Sequence, residues 1–178
     1  MTRKIMVIRH AEKPDDAGRE RGLDEHGSED SRGLTVCGWQ RAGALVRYFA
    51  PLQGRSYHPL LDKPSAVFAV KANASSQRPL LTAQPLAREL GLSIDARFAS
   101  DEVAPLLAAV ALVDGPVLLS WRHSNMVDIA RQLCPEQQPA PEWRVGCFDQ
   151  TWVFAEDAGR WTMTRIAQQL LPGDSSAP

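Results

Sequence analysis

The stretch that decides the fold is Lys4-Ile5-Met6-Val7-Ile8-Arg9-His10. Within it, residues 5–8 form a short, continuous apolar run with β-branched side chains, which is typical of a strand over 4–8 that is buried on both faces of a sheet. The polar pair Arg9 and His10 follows where this run ends. The pattern predicts a buried strand whose polar end is a candidate place for chemistry.

Strands and helices alternate along the rest of the chain. The spacing of apolar residues predicts helices over 35–49, 79–90, 101–113 and 124–133, strands over 66–70 and 117–119, and a closing hairpin with strands 151–154 and 161–166. Thr35 is placed to cap the first helix, and Gly91 to end the second. This order predicts an α/β fold, a three-layer α/β/α sandwich around a mainly parallel sheet.

Length and composition favour one domain. The chain has 178 residues and is 44% hydrophobic, which is enough for one sizeable core but not for two ordinary domains. We expect a single domain over 1–172 and a disordered tail over 173–178. Residues 14–33 are polar and lack an apolar period, so they are interpreted as a solvated loop, a surface insertion rather than a lid.

The charge balance limits the classes of partner. Twenty Lys and Arg residues stand against 21 Asp and Glu residues, so no global positive field would recruit nucleic acid or an anionic membrane. No apolar run approaches membrane-spanning length. Three cysteines, Cys37, Cys134 and Cys147, form an odd set without metal-binding spacing, which favours reduced thiols in a cytoplasmic protein. The pattern does not decide the oligomeric state.

Polar residues follow three of the predicted strands. They are Arg9 and His10, the loop 75–78 that ends in Arg78, and the pair Arg122 and His123. Ligands of open α/β sheets bind outside the carboxyl ends of the strands, so these three segments are expected to meet at one crevice. Arginine forks and histidines facing one crevice suit an anion with several oxygens, such as a phosphoryl group.

Four motifs resemble those of the histidine phosphatase superfamily, which has the phosphoglycerate mutase-like fold. Arg9-His10-Ala11-Glu12 resembles the Arg-His-Gly/Ala-Glu signature of that family. The other three are Leu34-Thr35 with Gly38 and Arg41-Ala42, Arg78 with Thr82-Ala83, and the late strand that ends in His123. Their shared order along the chain makes the resemblance specific.

The resemblance implies a two-step phosphoryl transfer without a cofactor. His10 would attack phosphorus to form a phosphohistidine, which water then hydrolyses. Arg9, Arg78 and His123 would hold the phosphoryl oxygens. The implied substrate is a small phosphorylated molecule or a phosphoprotein. A metal site of His10, Glu12 and His123 is disfavoured because the neighbouring arginines repel cations.

The general acid that would protonate the leaving oxygen is not defined by the sequence. Ser124 stands directly after the second histidine, where one branch of the family places an acid. Glu102, Asp101 and Glu12 are the alternatives, although the first two suit an ordinary acidic helix start and Glu12 could instead orient an arginine. Pro79 is a second departure, since many relatives carry a small polar residue after the arginine.

Two other functions stay open on the sequence alone. A phosphomutase or phosphotransferase would pass the same phosphoryl group to an acceptor hydroxyl on a small metabolite. A non-catalytic module would bind phosphorylated ligands without turnover, and the undefined acid favours that interpretation. The short chain favours a phosphatase over a mutase.

Overall fold

The computed structural model describes residues 3–15, 17–52, 56–137, 142–144 and 146–177. Within these ranges six strands and four helices follow one another in the order β1 (Lys4–Arg9), α1 (Val36–Phe49), β2 (Ala66–Ala69), α2 (Arg78–Leu90), β3 (Ile94–Asp95), α3 (Val103–Val110), β4 (Val117–Trp121), α4 (His123–Leu133), β5 (Gln150–Asp157) and β6 (Arg160–Ala167). None of the helices in the described ranges is long and apolar enough to cross a membrane.

The strands form one sheet in the order β3-β2-β4-β1-β5-β6. The pairs β3-β2, β2-β4 and β4-β1 are parallel, whereas β5 runs antiparallel to both of its neighbours. The predicted α/β architecture with a mainly parallel sheet is therefore confirmed. β1 lies between β4 and β5, as its continuous apolar run indicates.

Helices cover both faces of the sheet. Side chains of β1 alternate between the faces, so that Met6 and Ile8 pack with the buried residues of α1 and α2. Ile5 and Val7 pack instead with the buried residues of α3 and α4. The core therefore consists of two apolar layers, one on each side of β1, and the strand is buried almost throughout.

Several element ends differ from the predicted ones. α3 begins only at Val103 and ends at Val110, with Glu102 as its N-cap. β3 was not predicted, because two residues are too few to show a period. The predicted hairpin is confirmed as β5 and β6, and it turns at Ala158 and Gly159, which both have positive φ.

The segment that follows β6 differs from the expected disordered tail. Asp174 forms an ion pair with the buried Arg41, and the amide of Ser175 donates to the Asp149 carboxylate. These contacts attach residues 174 and 175 to the body of the protein. The sequence does not predict these two contacts, because a short polar segment after a glycine contains no pattern that indicates an ion pair with a buried arginine.

Candidate active site

The carboxyl ends of β1, β2 and β4 meet at one edge of the sheet. Arg9 lies opposite Trp121 in the β1-β4 ladder, and the amide of His10 donates to the Trp121 carbonyl at 3.0 Å. A cavity of about 300 Å³ opens here. It is lined by Arg9, His10, Lys13, Ser75, Ser76, Arg78, Arg122, His123 and Ser124. The structure thus brings together His10, Arg9, Arg78 and His123, as the sequence predicts.

His10 is buried and held in one orientation. Its Nδ1 lies 2.8 Å from the carbonyl oxygen of Ala11. Because a carbonyl oxygen only accepts, Nδ1 carries the proton, and Nε2 keeps its lone pair. Burial, together with the positive charges of Arg9, Arg78 and His123, lowers the pKa of His10 to about 3. The imidazole is therefore neutral and nucleophilic at neutral pH.

The loop after His10 is clamped by residues of the later motifs. The amide of Ala11 donates to Oγ1 of Thr82 at 2.8 Å, and that hydroxyl donates to the carbonyl of Arg78. The carbonyl of Glu12 accepts from the amide of Thr35 at 3.0 Å. Thr35 also caps α1, as predicted, because its side chain accepts from the third residue of the helix. Thr35 and Thr82 therefore both fix the backbone of the loop that follows His10.

Gly38 allows α1 to approach this loop closely. A Cβ atom at this position would lie 2.6 Å from the carbonyl oxygen of Glu12. No side chain fits into that distance, so only glycine permits the first turn of α1 to pack directly on the loop that carries the nucleophile.

Arg9 is buried at the base of the cavity. Its guanidinium lies 4.0 Å from the centre of the Phe148 ring, and Nη1 donates to the carbonyl of Cys147 at 2.9 Å. Its Nε is buried and has no hydrogen-bond partner among the described residues. Burial lowers the pKa of Arg9 to about 10, so the side chain remains a cation at neutral pH.

Arg78 is the first residue of α2, and its guanidinium is held by backbone carbonyls of the polar loop 14–33. Nε donates to the carbonyl of Gly33 at 3.0 Å, and Nη2 donates to the carbonyl of Ser31 at 2.8 Å. Nη1 contacts the hydroxyl of Ser76. Pro79 follows at a helix position where the missing amide proton costs no hydrogen bond. The loop thus orients the guanidinium while its remaining N–H groups stay available to an anion.

His123 is the first residue of α4, so its ring lies at a helix N-terminus. Burial lowers its pKa, and the charges of Arg9 and Lys13 lower it further. Lys13 and Arg122 also line the cavity. The sequence places Arg122 beside His123 at the crevice without giving it a role, and Lys13 was not predicted there. The position of Arg122 next to His123 was a sequence signal for its place in the cavity. Lys13 had no such signal, because only the path of the loop after β1 brings it to the cavity.

Positive charge is concentrated in the lining of the cavity, while Glu12 and Asp30 act from outside it on Arg9 and Arg78. Arg9, Lys13, Arg78 and Arg122 line it, and no Asp or Glu residue does. Among the described residues, none of these four cations forms an ion pair, whereas ten other arginines do. Such a lining suits an anion and opposes a metal ion. In the described ranges no group of three or more His, Cys, Asp or Glu side chains could hold a metal.

The acids named from the sequence lie outside this cavity. Glu12 is bound through both of its carboxylate oxygens to Arg41 and lines a neighbouring cavity. Glu102 is exposed at the start of α3, where its carboxylate accepts from the amide of Ala99 at 2.7 Å. Asp101 is exposed as well. The structure therefore brings none of them to His10.

No protein-family model matches the chain, and no curated protein is detectably similar to it in sequence. Its structure, however, is similar to solved structures of phosphatases and phosphoglycerate mutases. A phosphoserine phosphatase mutant from Entamoeba histolytica, in complex with phosphoserine, matches 95% of this chain and 99% of its own, with a TM-score of 0.60 and 13% identity.

Two further solved structures show the same fold. The protein histidine phosphatase SixA, complexed with tungstate, has a TM-score of 0.55 and 16% identity over 93% of this chain and 97% of its own. A phosphoglycerate mutase from Bacillus anthracis has a TM-score of 0.58 and 10% identity over 93% of this chain and 92% of its own. The chain has the phosphoglycerate mutase-like fold that the motifs implied.

Proposed function

We propose that this protein is a metal-independent phosphatase of the histidine phosphatase type, in which His10 is the nucleophile. One observation carries the proposal. His10 is a neutral imidazole whose Nδ1 proton is held by the Ala11 carbonyl, and it faces a cavity whose lining has four cations and no Asp or Glu side chain among the described residues. This combination of a lone pair and surrounding positive charge is what phosphoryl transfer to nitrogen requires.

The reaction would proceed in two steps. Nε2 of His10 forms a bond to phosphorus while the bond from phosphorus to the leaving group breaks. Water then attacks phosphorus, the N–P bond breaks, and phosphate leaves with neutral His10 regenerated. Arg9, Arg78 and His123 would hold the phosphoryl oxygens and offset the charge that develops on them. The proposal needs no metal, since the arginines and the lysine supply the positive charge.

The missing acid restricts the substrate. Because none of Glu12, Asp101 and Glu102 lines the cavity, the leaving group would have to depart without a proton from these carboxyl groups. Phosphoryl groups on good leaving groups meet that condition, such as those on an aryl oxygen or on the ring nitrogen of an imidazole, which departs as neutral imidazole. We expect such compounds to react faster than alkyl phosphates, whether the natural substrate is a small molecule or a phosphoprotein.

The three free cysteines support a cytoplasmic location.

The absence of the Glu12, Asp101 and Glu102 carboxyl groups from the cavity lining also favours one other candidate, a module that binds phosphorylated ligands without turnover. It predicts that phosphate or tungstate raises the melting temperature while no phosphate is released from any substrate. A phosphotransferase would instead pass part of the phosphoryl groups to a second hydroxyl compound that is supplied as acceptor. The amount of free phosphate would then be smaller than the amount of leaving-group alcohol released from the substrate. Both alternatives can be decided in the assay that tests the main proposal.

That assay measures phosphate release from an aryl phosphate in the presence of a chelator. We expect turnover by the wild type, and a loss of at least about a thousandfold in His10→Ala, since covalent catalysis is then removed. His26→Ala is the matched control, because that histidine is exposed and does not line the cavity. Turnover that disappears with the chelator, or that persists in His10→Ala, contradicts the proposal.

A further inference from the structure

Arg41 is a buried arginine shared by two carboxylates from distant parts of the chain. It donates to Glu12 through Nε and Nη2 at 2.9 and 2.8 Å, and to Asp174 through Nη1 and Nη2 at 3.0 and 2.6 Å. Nη1 also donates to the amide oxygen of Gln168 at 3.0 Å. The side chains of Arg41 and Asp174 are only 3% and 7% exposed.

The buried charge of Arg41 is compensated only when all of its partners are present. A buried guanidinium is costly unless carboxylates and hydrogen bonds compensate it, and removing one partner leaves charge without compensation. Although burial raises the pKa of Asp174, its hydrogen bonds with Arg41 hold that pKa below its usual range. The carboxylate is therefore charged in the folded protein, and Arg41 links it firmly to Glu12.

The carboxylate of Asp174 is itself fixed by the segment 168–175, which we call the C-terminal clamp. The amides of Leu170 and Leu171 donate to its Oδ2 at 2.8 and 3.1 Å. The amide of Ser175 donates to the carboxylate of Asp149 at 2.6 Å, and the amide of Gln168 donates to the Asp149 carbonyl. The clamp is thus attached at both ends.

The C-terminal clamp reaches the candidate active site by two routes. Through Arg41 it holds Glu12, which lies two residues after His10 and directly after the carbonyl that orients the imidazole. Through Asp149 it holds the segment in which the Cys147 carbonyl accepts from Arg9. Both the nucleophile and the buried arginine therefore depend on backbone that the clamp supports.

We infer that Asp174 is a positioning residue, which acts through Arg41 and Glu12 to keep the His10 loop in its reactive geometry. The inference rests on the proposed function only where turnover is its readout. Asp174→Asn removes the charge and keeps the shape. It should lower kcat by about tenfold or more, because small displacements of reacting groups slow a reaction strongly. KM should change little, since no cation of the cavity is altered.

Matched variants separate positioning from general instability. Asp174→Glu restores the charge and should recover part of kcat, whereas Ser176→Ala, an exposed neighbour, should leave kcat unchanged. Glu12→Gln combined with Asp174→Asn should cost less than the product of the two single effects, because both act through Arg41. Asp174→Asn with unchanged kcat, or effects of the two variants that multiply, would overturn the inference.

A second readout does not require turnover. Hydrogen exchange of the Ala11 amide, which is bonded to Thr82, should be faster by about tenfold or more in Asp174→Asn than in the wild type, while exchange in β2 stays unchanged. If the wild type releases no phosphate from any substrate, the proposed function fails, and this exchange experiment still decides the inference. Equal exchange of Ala11 in both proteins would overturn it.

Discussion

His10 has two features that oppose its protonation. It is buried, and the nearest charged groups of the cavity are cations. Its pKa of about 3 lies well below the value of 6.5 expected for an unfolded chain. Between these values the unfolded state binds a proton that the folded state does not bind.

This difference predicts a pH dependence of stability. The free energy of unfolding should fall as pH decreases from about 6.5 towards 3, with up to about 1.4 kcal/mol per pH unit due to His10. Above pH 6.5 the histidine is neutral in both states, and its effect is constant. His10→Asn should therefore lose stability less steeply on acidification. Urea unfolding at several pH values checks this, with the exposed His26→Asn as control. Parallel curves for wild type and His10→Asn would contradict it.

The buried hydroxyl of Thr82 leads to a second prediction about a single residue. Its hydroxyl is fully buried and connects the Ala11 amide to the Arg78 carbonyl. Thr82→Val keeps the shape and leaves that buried amide without a partner, so we expect a loss of about 1–3 kcal/mol in the free energy of unfolding and a lower kcat. Thr162→Val, on the exposed edge strand, should change stability by less than about 0.5 kcal/mol. Equal effects of the two variants would contradict this role of Thr82.

The sequence allowed four residues of the cavity lining to be predicted, but not their surroundings. His10, Arg9, Arg78 and His123 each stand at the end of a strand or the start of a helix, so alternation of elements brings them together. Phe148 contacts Arg9 across a sequence separation of 139 residues, and no local pattern encodes such a contact. Which carboxylates face the cavity was equally hidden, because that depends on the orientation of α3 and of the Glu12 side chain.

Helix α1 contains two glycines that the structure assigns different roles. Gly38 packs against the backbone of Glu12, where a Cβ atom would lie 2.6 Å from the carbonyl oxygen, while Gly43 has no atom within 4 Å of an added Cβ. We expect Gly38→Ala to destabilise the protein and lower kcat, since the His10 loop must move. Gly43→Ala should raise stability by about 0.5–1 kcal/mol, because alanine favours a helix. Thermal and urea unfolding of both variants check this, and stabilisation by Gly38→Ala would contradict the close approach.

Long elements with a clear period were predicted well, and short or non-periodic ones were not. α1 and α2 have the expected caps at Thr35 and Gly91. β3 has two residues and forms only because β2 offers it an edge. The C-terminal clamp has no regular element, and its order comes from the ion pair of Asp174 with a residue 133 positions earlier. Tertiary contacts decide such segments, so their local composition is uninformative.

Charge is distributed unevenly over the molecule as a whole. The net charge is −1, yet four cations line one cavity at the carboxyl end of the sheet, and none of them forms an ion pair within the described ranges. A focused positive field of this kind attracts anions over a distance and is screened by salt. The function therefore does not depend on an overall basic protein.

This arrangement predicts a salt-sensitive KM. Lys13→Ala and Arg122→Ala should each raise KM for an anionic substrate several-fold, by roughly 0.5–1.5 kcal/mol of binding, and weaken its dependence on ionic strength. Their effect on kcat should be smaller, because neither residue orients His10. Lys63→Ala, an exposed lysine outside the cavity, is the control for net charge. Equal changes in KM for all three variants would indicate a general charge effect and contradict a local one.

The central claim is that the nitrogen of His10 receives the phosphoryl group, and the most direct measurement is to trap that intermediate. The protein is mixed with an aryl phosphate in the presence of a chelator, quenched at high pH where phosphohistidine survives, and digested for mass spectrometry. We predict one phosphoryl group on the peptide that contains His10, attached at Nε2, and none in His10→Ala. Substrate turnover without phosphate on His10, or phosphate on another residue, would contradict the account.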